Sequence, residues 1–160
     1  DGRVASRFSE CFSEYWVEHF YGWEKCKNSN QAGFDNICKT SSGDLLVSVR
    51  CLTLNGISFQ QSSYLGSGRS NSLDTLKKSL DDIHIVVVID VTGFPWIRML
   101  PIKRDDLLCL LNEGKLPKSR MSQNCFYKVV VDRFYPDIQW TCVEDILTYN
   151  IDDGSGISRY

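Results

Sequence analysis

The sequence predicts an α/β fold, a mixed β-sheet flanked by helices. Three observations carry that expectation. Apolar residues recur at helical spacing from Val4 to Tyr21, an unbroken apolar run stands at 85–89, and segments of helical and extended pattern alternate between them. At 160 residues the chain suits one domain with its own core.

Each element follows from its residues. Val4, Phe8, Cys11, Phe12, Tyr15, Trp16, His19 and Phe20 form one stripe of an amphipathic helix, with Glu10, Glu14 and Glu18 off it at successive i+4 positions. Gly22 and the polar "KNSNQAG" end it. A short strand is expected over 34–38, then the turn "KTSSGD" and a strand over 45–53. "NG" at 55–56 marks a hairpin turn into a partner strand over 57–63. "YLGSGRSNS" reads as a Gly/Ser loop, and Ser72 caps a helix whose stripe is Leu73, Leu76, Leu80 and Ile83. The run "HIVVVIDV" at 84–91 predicts a strand buried on both faces. "GFP" then turns the chain into "WIRMLPI", whose flanking prolines suit an edge strand. Asp105 or Asp106 opens a short helix through "LLCLLNEG". Beyond Gly114, "CFYKVVVDRF" and "IQWTCVEDIL" fit strand or helix equally, and 151–160 reads as a loose tail.

Composition narrows the function class. A formal net charge of −2 excludes a strongly basic nucleic-acid-binding tail, though not a local basic patch. The seven cysteines contain no CxxC pair, and His19 and His84 do not complete a zinc-ligand spacing. Lying mostly among apolar residues, they read as reduced core residues in an intracellular, reducing compartment, cytoplasmic or nuclear. "DGRVASRF" has no apolar signal-peptide region, and no run is long enough to span a membrane. His19 reads as a core histidine.

One stretch does not fit a plain core strand. In "GDLLVSVRCLT", residues 43–53, Ser48 and Arg50 lie two apart and so project from one face with Leu46 and Leu52. Two readings stand. The pair is either structural, a buried Arg with a carboxylate partner and a Ser satisfied by backbone, or part of an active site. Asp35 likewise reads as a turn residue at a strand edge or as their partner.

The order α-β-β-β-α-β, with Asp35 opening the first short strand and Ser48-Val49-Arg50 in the next, resembles the PD-(D/E)XK nuclease superfamily, which is restriction-endonuclease-like. The resemblance covers roughly residues 4–92, with 93–160 as additions. It implies a metal-dependent endonuclease-like domain that acts on DNA phosphodiester bonds with Mg²⁺ or Mn²⁺. Acids on adjacent strands would hold the metal, and a cation two residues along would stabilise developing charge. Asp35 falls at the first acid, the metal ligand; Ser48 stands where the family has its second acid, and Arg50 where it has lysine. Glu10 or Glu14 resembles an accessory acid that some members use, against the plainer reading of a solvated helix face. Asp44 is a possible substitute acid and, more simply, a turn residue. Gln60 and Tyr64 share the spacing of a QxxxY element that one branch carries on a helix, whereas here it falls at a strand end.

Candidate backbone contacts to nucleic acid are Arg69 in the Gly-rich loop, Lys77, Lys78, Lys115, Lys118 and Arg120, each also readable as ordinary surface charge. The Gly-rich "GSGRS" lacks the Lys-Ser/Thr of a P-loop. Nuclease function implies a DNA partner, no membrane, and a homodimer if cleavage is symmetric. Ser48 is neutral and Arg50 cannot deprotonate. The alternative is therefore a catalytically inactive nuclease-fold module that binds nucleic acid or a protein partner.

Overall fold

The computed structural model describes residues 16–26, 34–60 and 72–143. Within them the chain is a mixed α/β fold built on a curled six-stranded sheet. Helix α1, described over 16–21, ends at Gly22, whose φ of +68° suits a glycine and whose N–H donates to the Glu18 carbonyl at 2.9 Å. Strands β1 (Glu24–Lys25), β2 (Asn36–Thr40) and β3 (Gly43–Leu52) follow as an antiparallel run. Strand β4 (Ile57–Ser58) and helix α2 (Leu73–Asp81) lead to β5 (Ile85–Asp90), which pairs parallel with β3. Strand β6 (Trp96–Lys103) returns antiparallel to β5, and helix α3 (Arg104–Asn112) and strand β7 (Arg120–Met121) come next. Helix α4 (Gln123–Phe126) continues through a π-helical turn, Tyr127–Val131, into α5 (Asp132–Phe134), and β8 (Thr141–Cys142) closes the edge. The sheet order is β1-β2-β3-β5-β6-β8.

Alternation along the strands sorts the side chains into two cores. Leu52, Val86, Val88, Leu100 and Ile102 face Leu76 and Leu80 of α2, Leu107 and Leu110 of α3, and Phe126 and Val130. Val47, Val49, Val87 and Ile89 face the other way, onto Val17 of α1. Strand β5 is buried on both faces, as its apolar run predicts. Residues beyond 92 share the first core, since Leu100, Leu110 and Phe126 are fully enclosed in it.

Several expectations need correction. The strand expected over 34–38 begins at Asn36, leaving Phe34 and Asp35 ahead of it. The "NG" turn does form, with the Gly56 N–H donating to the Thr53 carbonyl at 2.9 Å, but the strand after it leaves the sheet. Strand β4 pairs with β7 instead, because β5 fills the slot beside β3. Gly56 sits at φ +88°, and a Cβ there would collide with the Met121 carbonyl oxygen, so glycine permits this crossing. Residues 61–63 of that expected strand lie outside the described residues. Ser72 caps α2 as expected, accepting from the Thr75 N–H, but Leu73 is exposed at the first turn, outside the packed layer. "CFYKVVVDRF" is helical, with its β-branched valines in the π turn and behind it Phe126 in the core. The "WIRMLPI" strand is a near-edge: β8 covers it only at Trp96 and Ile97, and Pro101 lies within it.

The described cysteines are unbridged, and all except Cys142 are half-buried rather than enclosed. His84 is structural, its Nδ1 accepting the Leu46 N–H at 2.9 Å. No helix among the described residues is long and apolar enough to cross a membrane.

One surface ion pair ties the end of α3 to α5. Arg133 donates to both oxygens of Glu113 at 2.6 and 2.8 Å, which holds that carboxyl down at about 2 from an ordinary 4.5, and the Cys109 thiol adds a weaker donor. A depressed folded pKa contributes stability that is present above the unfolded value and lost as pH falls toward the folded one. In Glu113→Gln we expect a small loss in melting temperature at neutral pH. The gap from the parent should close as pH drops from about 5 toward about 2 in a pH series of thermal melts.

Candidate functional site

The site is built where the antiparallel pairing of β2 and β3 ends. The ladder stops at Asn36 opposite Val47, so β3 runs on past its neighbour. Asp35, the residue before β2, takes over the pairing. Its N–H donates to the Val47 carbonyl at 2.8 Å, and its carboxylate Oδ2 accepts the Val49 N–H at 2.8 Å. The Cys26 N–H beyond β1 donates to the Asp35 carbonyl, also at 2.8 Å. Asp35 is thus fixed by three backbone contacts, and its half-buried carboxylate lies against the middle residue of Ser48-Val49-Arg50. A charged acceptor on a backbone N–H is worth about 1.5–3 kcal/mol. Oδ1 receives no hydrogen bond from the described residues.

Ser48 and Arg50 share the face of β3 that carries Leu52, as their spacing predicts. Ser48 is 3% exposed. Arg50 is half-buried and donates from Nη2 to the Gln60 carbonyl at 3.3 Å. It forms no ion pair with a carboxylate among the described residues, so the structural reading of a buried Arg–carboxylate pair does not hold for them. Gln60 is itself a hub. Its Nε2 lies 3.0 Å from the Ser72 carbonyl, 3.1 Å from Thr75 Oγ1 and 3.1 Å from the Lys118 carbonyl, which joins β3 to the cap of α2 and to the segment before β7.

The other predicted residues are scattered. Glu10, Glu14 and Arg69 lie outside the described residues, as does Tyr64. Lys77 and Lys78 are exposed on α2, and Lys118 is exposed beside Gln60. Lys115 is engaged by Glu113 at 3.3 Å, and Arg120 Nη1 donates to the Gly56 carbonyl at 3.2 Å, so both have structural partners. Asp44 pairs with Lys39 in the β2–β3 ladder and is exposed, away from Asp35.

A second polar cluster on the same sheet face was not anticipated. Asp90, at the end of β5, is fully buried and cross-strand from Arg98. Its Oδ2 accepts from Arg98 Nε and Nη2 at 3.3 and 3.1 Å and from the Tyr127 hydroxyl at 3.0 Å. Its Oδ1 accepts the Thr92 N–H at 3.0 Å and the Thr92 hydroxyl at 2.6 Å. Gln123 Nε2 completes the cluster by donating to Tyr127 Oη at 3.0 Å. The Arg98 guanidinium lies between two rings, 5.2 Å from the Tyr127 centroid and 4.6 Å from that of Trp140. The sequence signal was a lone carboxylate ending "IVVVID" and a lone cation in "WIRML", which only the hairpin register turns into a pair.

The two clusters differ in what they can do. Every oxygen of Asp90 is saturated by donors, so it is a structural anion. Asp35 has a donor on Oδ2 and, among the described residues, none on Oδ1. Magnesium is held by one or two carboxylates with waters and phosphate oxygens. No three His, Cys, Asp or Glu side chains come together to hold a metal ion among the described residues. Asp35 therefore belongs to no three-ligand metal cage among the described residues. No protein-family model matches the chain, and neither a curated protein nor a solved structure does.

Proposed function

We propose that the chain is a nuclease-like domain of the PD-(D/E)XK type, a metal-dependent endonuclease-like domain acting on DNA phosphodiester bonds. The observation that carries this is the Asp35 carboxylate, 2.8 Å from the backbone nitrogen at the centre of the Ser48-Val49-Arg50 triplet. The strands are not those first counted. The expected third strand, 57–63, is β4 outside the main sheet, and α-β-β-β-α-β is kept only by counting β1. Asp35 thus precedes the second strand, and Ser48-Val49-Arg50 lies on the third.

Asp35 Oδ1, with a backbone carbonyl near residue 49, would hold Mg²⁺ or Mn²⁺. The ion would neutralise phosphate charge and lower the pKa of a bound water. The Val49 N–H fixes the orientation of the Asp35 carboxylate, so its open oxygen is preset. Arg50 carries a permanent charge two residues along the strand and stabilises the negative charge that develops on the phosphate; it cannot take a proton. Lys77, Lys78 and Lys118 supply exposed cations for the nucleic-acid backbone. Glu10 and Glu14 stay in the proposal as accessory acids.

One observation favours a second reading, a module that binds nucleic acid or a protein without cutting. Ser48 is a neutral, buried residue in the place of the second acid. The double substitution Ser48→Glu with Arg50→Lys separates the two. If the parent binds DNA without cleaving it and the double variant nicks supercoiled plasmid in Mg²⁺ by at least about tenfold over the parent, the second reading holds for the parent. If the parent already nicks plasmid and a chelator stops it, the first holds. Absence of both binding and nicking in the folded parent and variant rejects both.

A further inference from the structure

We infer that the free edge of β6 at Met99 is the floor of a binding pocket for a neutral planar heterocycle that carries a lactam, an N–H beside a C=O in one ring. Strand alternation sends the backbone polar groups of Arg98, Leu100 and Ile102 toward β5 and those of Ile97, Met99 and Pro101 outward. Contacts at the end of the strand fix that parity. The Arg104 N–H continues the β5 ladder by donating to the His84 carbonyl at 3.0 Å, while the Lys103 N–H donates outward to the Tyr135 hydroxyl at 3.0 Å. Strand β8 pairs with the outer edge only at Trp96 and Ile97. Pro101 has no N–H to offer, and Tyr135 holds that of Lys103. Met99 is left with a donor and an acceptor side by side, and neither has a hydrogen-bond partner among the described residues. In the register of Ile97 with Thr141, Gln139 would pair with Met99 if β8 continued. Both instead line one cavity, which takes the place of the missing pairing.

Size, charge and hydrogen bonding select the occupant. The cavity has a volume of about 250 Å³. One of about 150 Å³ accepts a benzene ring, so this one suits a fused pair of rings. Phe20 and Tyr21 of α1 bring it two aromatic side chains, and Ile97 and Ile138 apolar ones. Tyr21 is preset, its ring stacked on that of Trp23 with centroids 4.5 Å apart. Burial pushes its hydroxyl above the ordinary 10.0, so it stays uncharged at neutral pH. No Lys, Arg, Asp or Glu lines the cavity among the described residues. An ionic ligand would therefore enter without a counter-charge, and a plain hydrocarbon would bury the Met99 N–H and C=O unsatisfied. A lactam matches both groups. Its N–H donates to the Met99 carbonyl, its carbonyl accepts the Met99 N–H, and its flat faces rest on aromatic and apolar side chains. An extended peptide would use the same two groups, but β8 at Ile97 and Tyr135 at Lys103 leave it one residue of full pairing. The inference stands apart from the nuclease-like reading and fails or holds without it.

The experiment titrates isoquinolinone, a bicyclic lactam, into the full chain and follows backbone amide shifts by nuclear magnetic resonance. Its N-methyl derivative keeps the rings and the carbonyl and loses only the N–H. Met99→Pro removes the outward N–H and spares the β5 ladder, as Pro101 does two residues on, while Met99→Leu keeps the N–H. Thermal melts establish that both variants fold. The parent should bind isoquinolinone with shifts at Ile97 and Met99, and the N-methyl derivative about tenfold more weakly. Met99→Pro should lose about tenfold in affinity for isoquinolinone, and Met99→Leu less than about twofold. No binding by the parent, equal affinity for the two ligands, or shifts confined to another face overturns the pocket. So does a folded Met99→Pro that binds as the parent does. A blocked tripeptide that binds more tightly than isoquinolinone overturns it by assigning the edge to an extended peptide. A concentration-dependent dimer that Met99→Pro dissolves overturns it by assigning the edge to a second copy. If Met99→Pro does not fold, the two ligands on the parent decide alone.

Discussion

Arg98→Ala is expected to lower the free energy of unfolding by about 3–5 kcal/mol, the largest stability loss from any single surface-reaching residue of this domain. The reason is Asp90. It is 0% exposed, and the substitution strips two of its donors, Arg98 Nε and Nη2, from a carboxylate that water cannot reach. Removing one partner of a buried ion pair leaves an uncompensated charge, which costs far more than the pair contributes. Trp140 also loses the guanidinium beneath it, so the edge with β8 loosens. Asp90→Asn should also destabilise, since it leaves the Arg98 guanidinium without its carboxylate and turns an amide NH₂ toward donors. It should cost less than Arg98→Ala because the Arg98 side chain keeps some contact with water and Asp90 has none. Urea titrations of the three proteins check this. Equal midpoints for Arg98→Ala and the parent would mean that Asp90 is hydrated rather than held by Arg98.

Asp35 gives the largest expected effect on activity. Replacement by alanine removes both the proposed metal oxygen and the acceptor of the Val49 N–H, so it mixes a functional loss with a stability loss of about 1–3 kcal/mol. Asp35→Asn separates the two. Its amide oxygen can keep the Val49 N–H while the charge is gone, so the melting temperature should hold near that of the parent. Metal-dependent cleavage should fall by at least about a hundredfold.

The parts of this molecule that were legible in its sequence are those whose signal is local. The apolar run of β5 required burial on both faces, and Ser72 before "LDTLKKSL" required a cap. The spacing of Ser48 and Arg50 put them on one face because strand parity leaves no other choice. What escaped depended on tertiary pairing. Glu24 and Lys25 are both exposed, so β1 has no apolar pattern, yet it completes the antiparallel run beside β2. "ISFQ" reads as a hairpin partner, but the slot beside β3 went to β5, and Gly56 let the chain cross beneath β7 instead. "KVVV" has the residues of a strand and became a π turn because Phe126, Val130 and Val131 fill the core between α3 and the sheet. Asp90 and Arg98 are eight residues apart on different strands, and only their register brings them together. In the candidate site, Asp35, Ser48 and Arg50 stood out in the sequence as polar residues among apolar strand positions. That Asp35 would be held by the Val49 N–H, and that Arg50 would rest on the Gln60 carbonyl, followed from where β2 stops.

The central claim is that the Asp35 carboxylate, set against Val49, is a working metal ligand of a nuclease-like site. Nicking of supercoiled plasmid by the parent and by Asp35→Asn, each with Mg²⁺ and with chelator, measures it most directly. The account predicts nicking by the parent that the chelator abolishes and that Asp35→Asn lacks at an unchanged melting temperature. Nicking that survives in folded Asp35→Asn, or a parent that never nicks in Mg²⁺ or Mn²⁺, would contradict it.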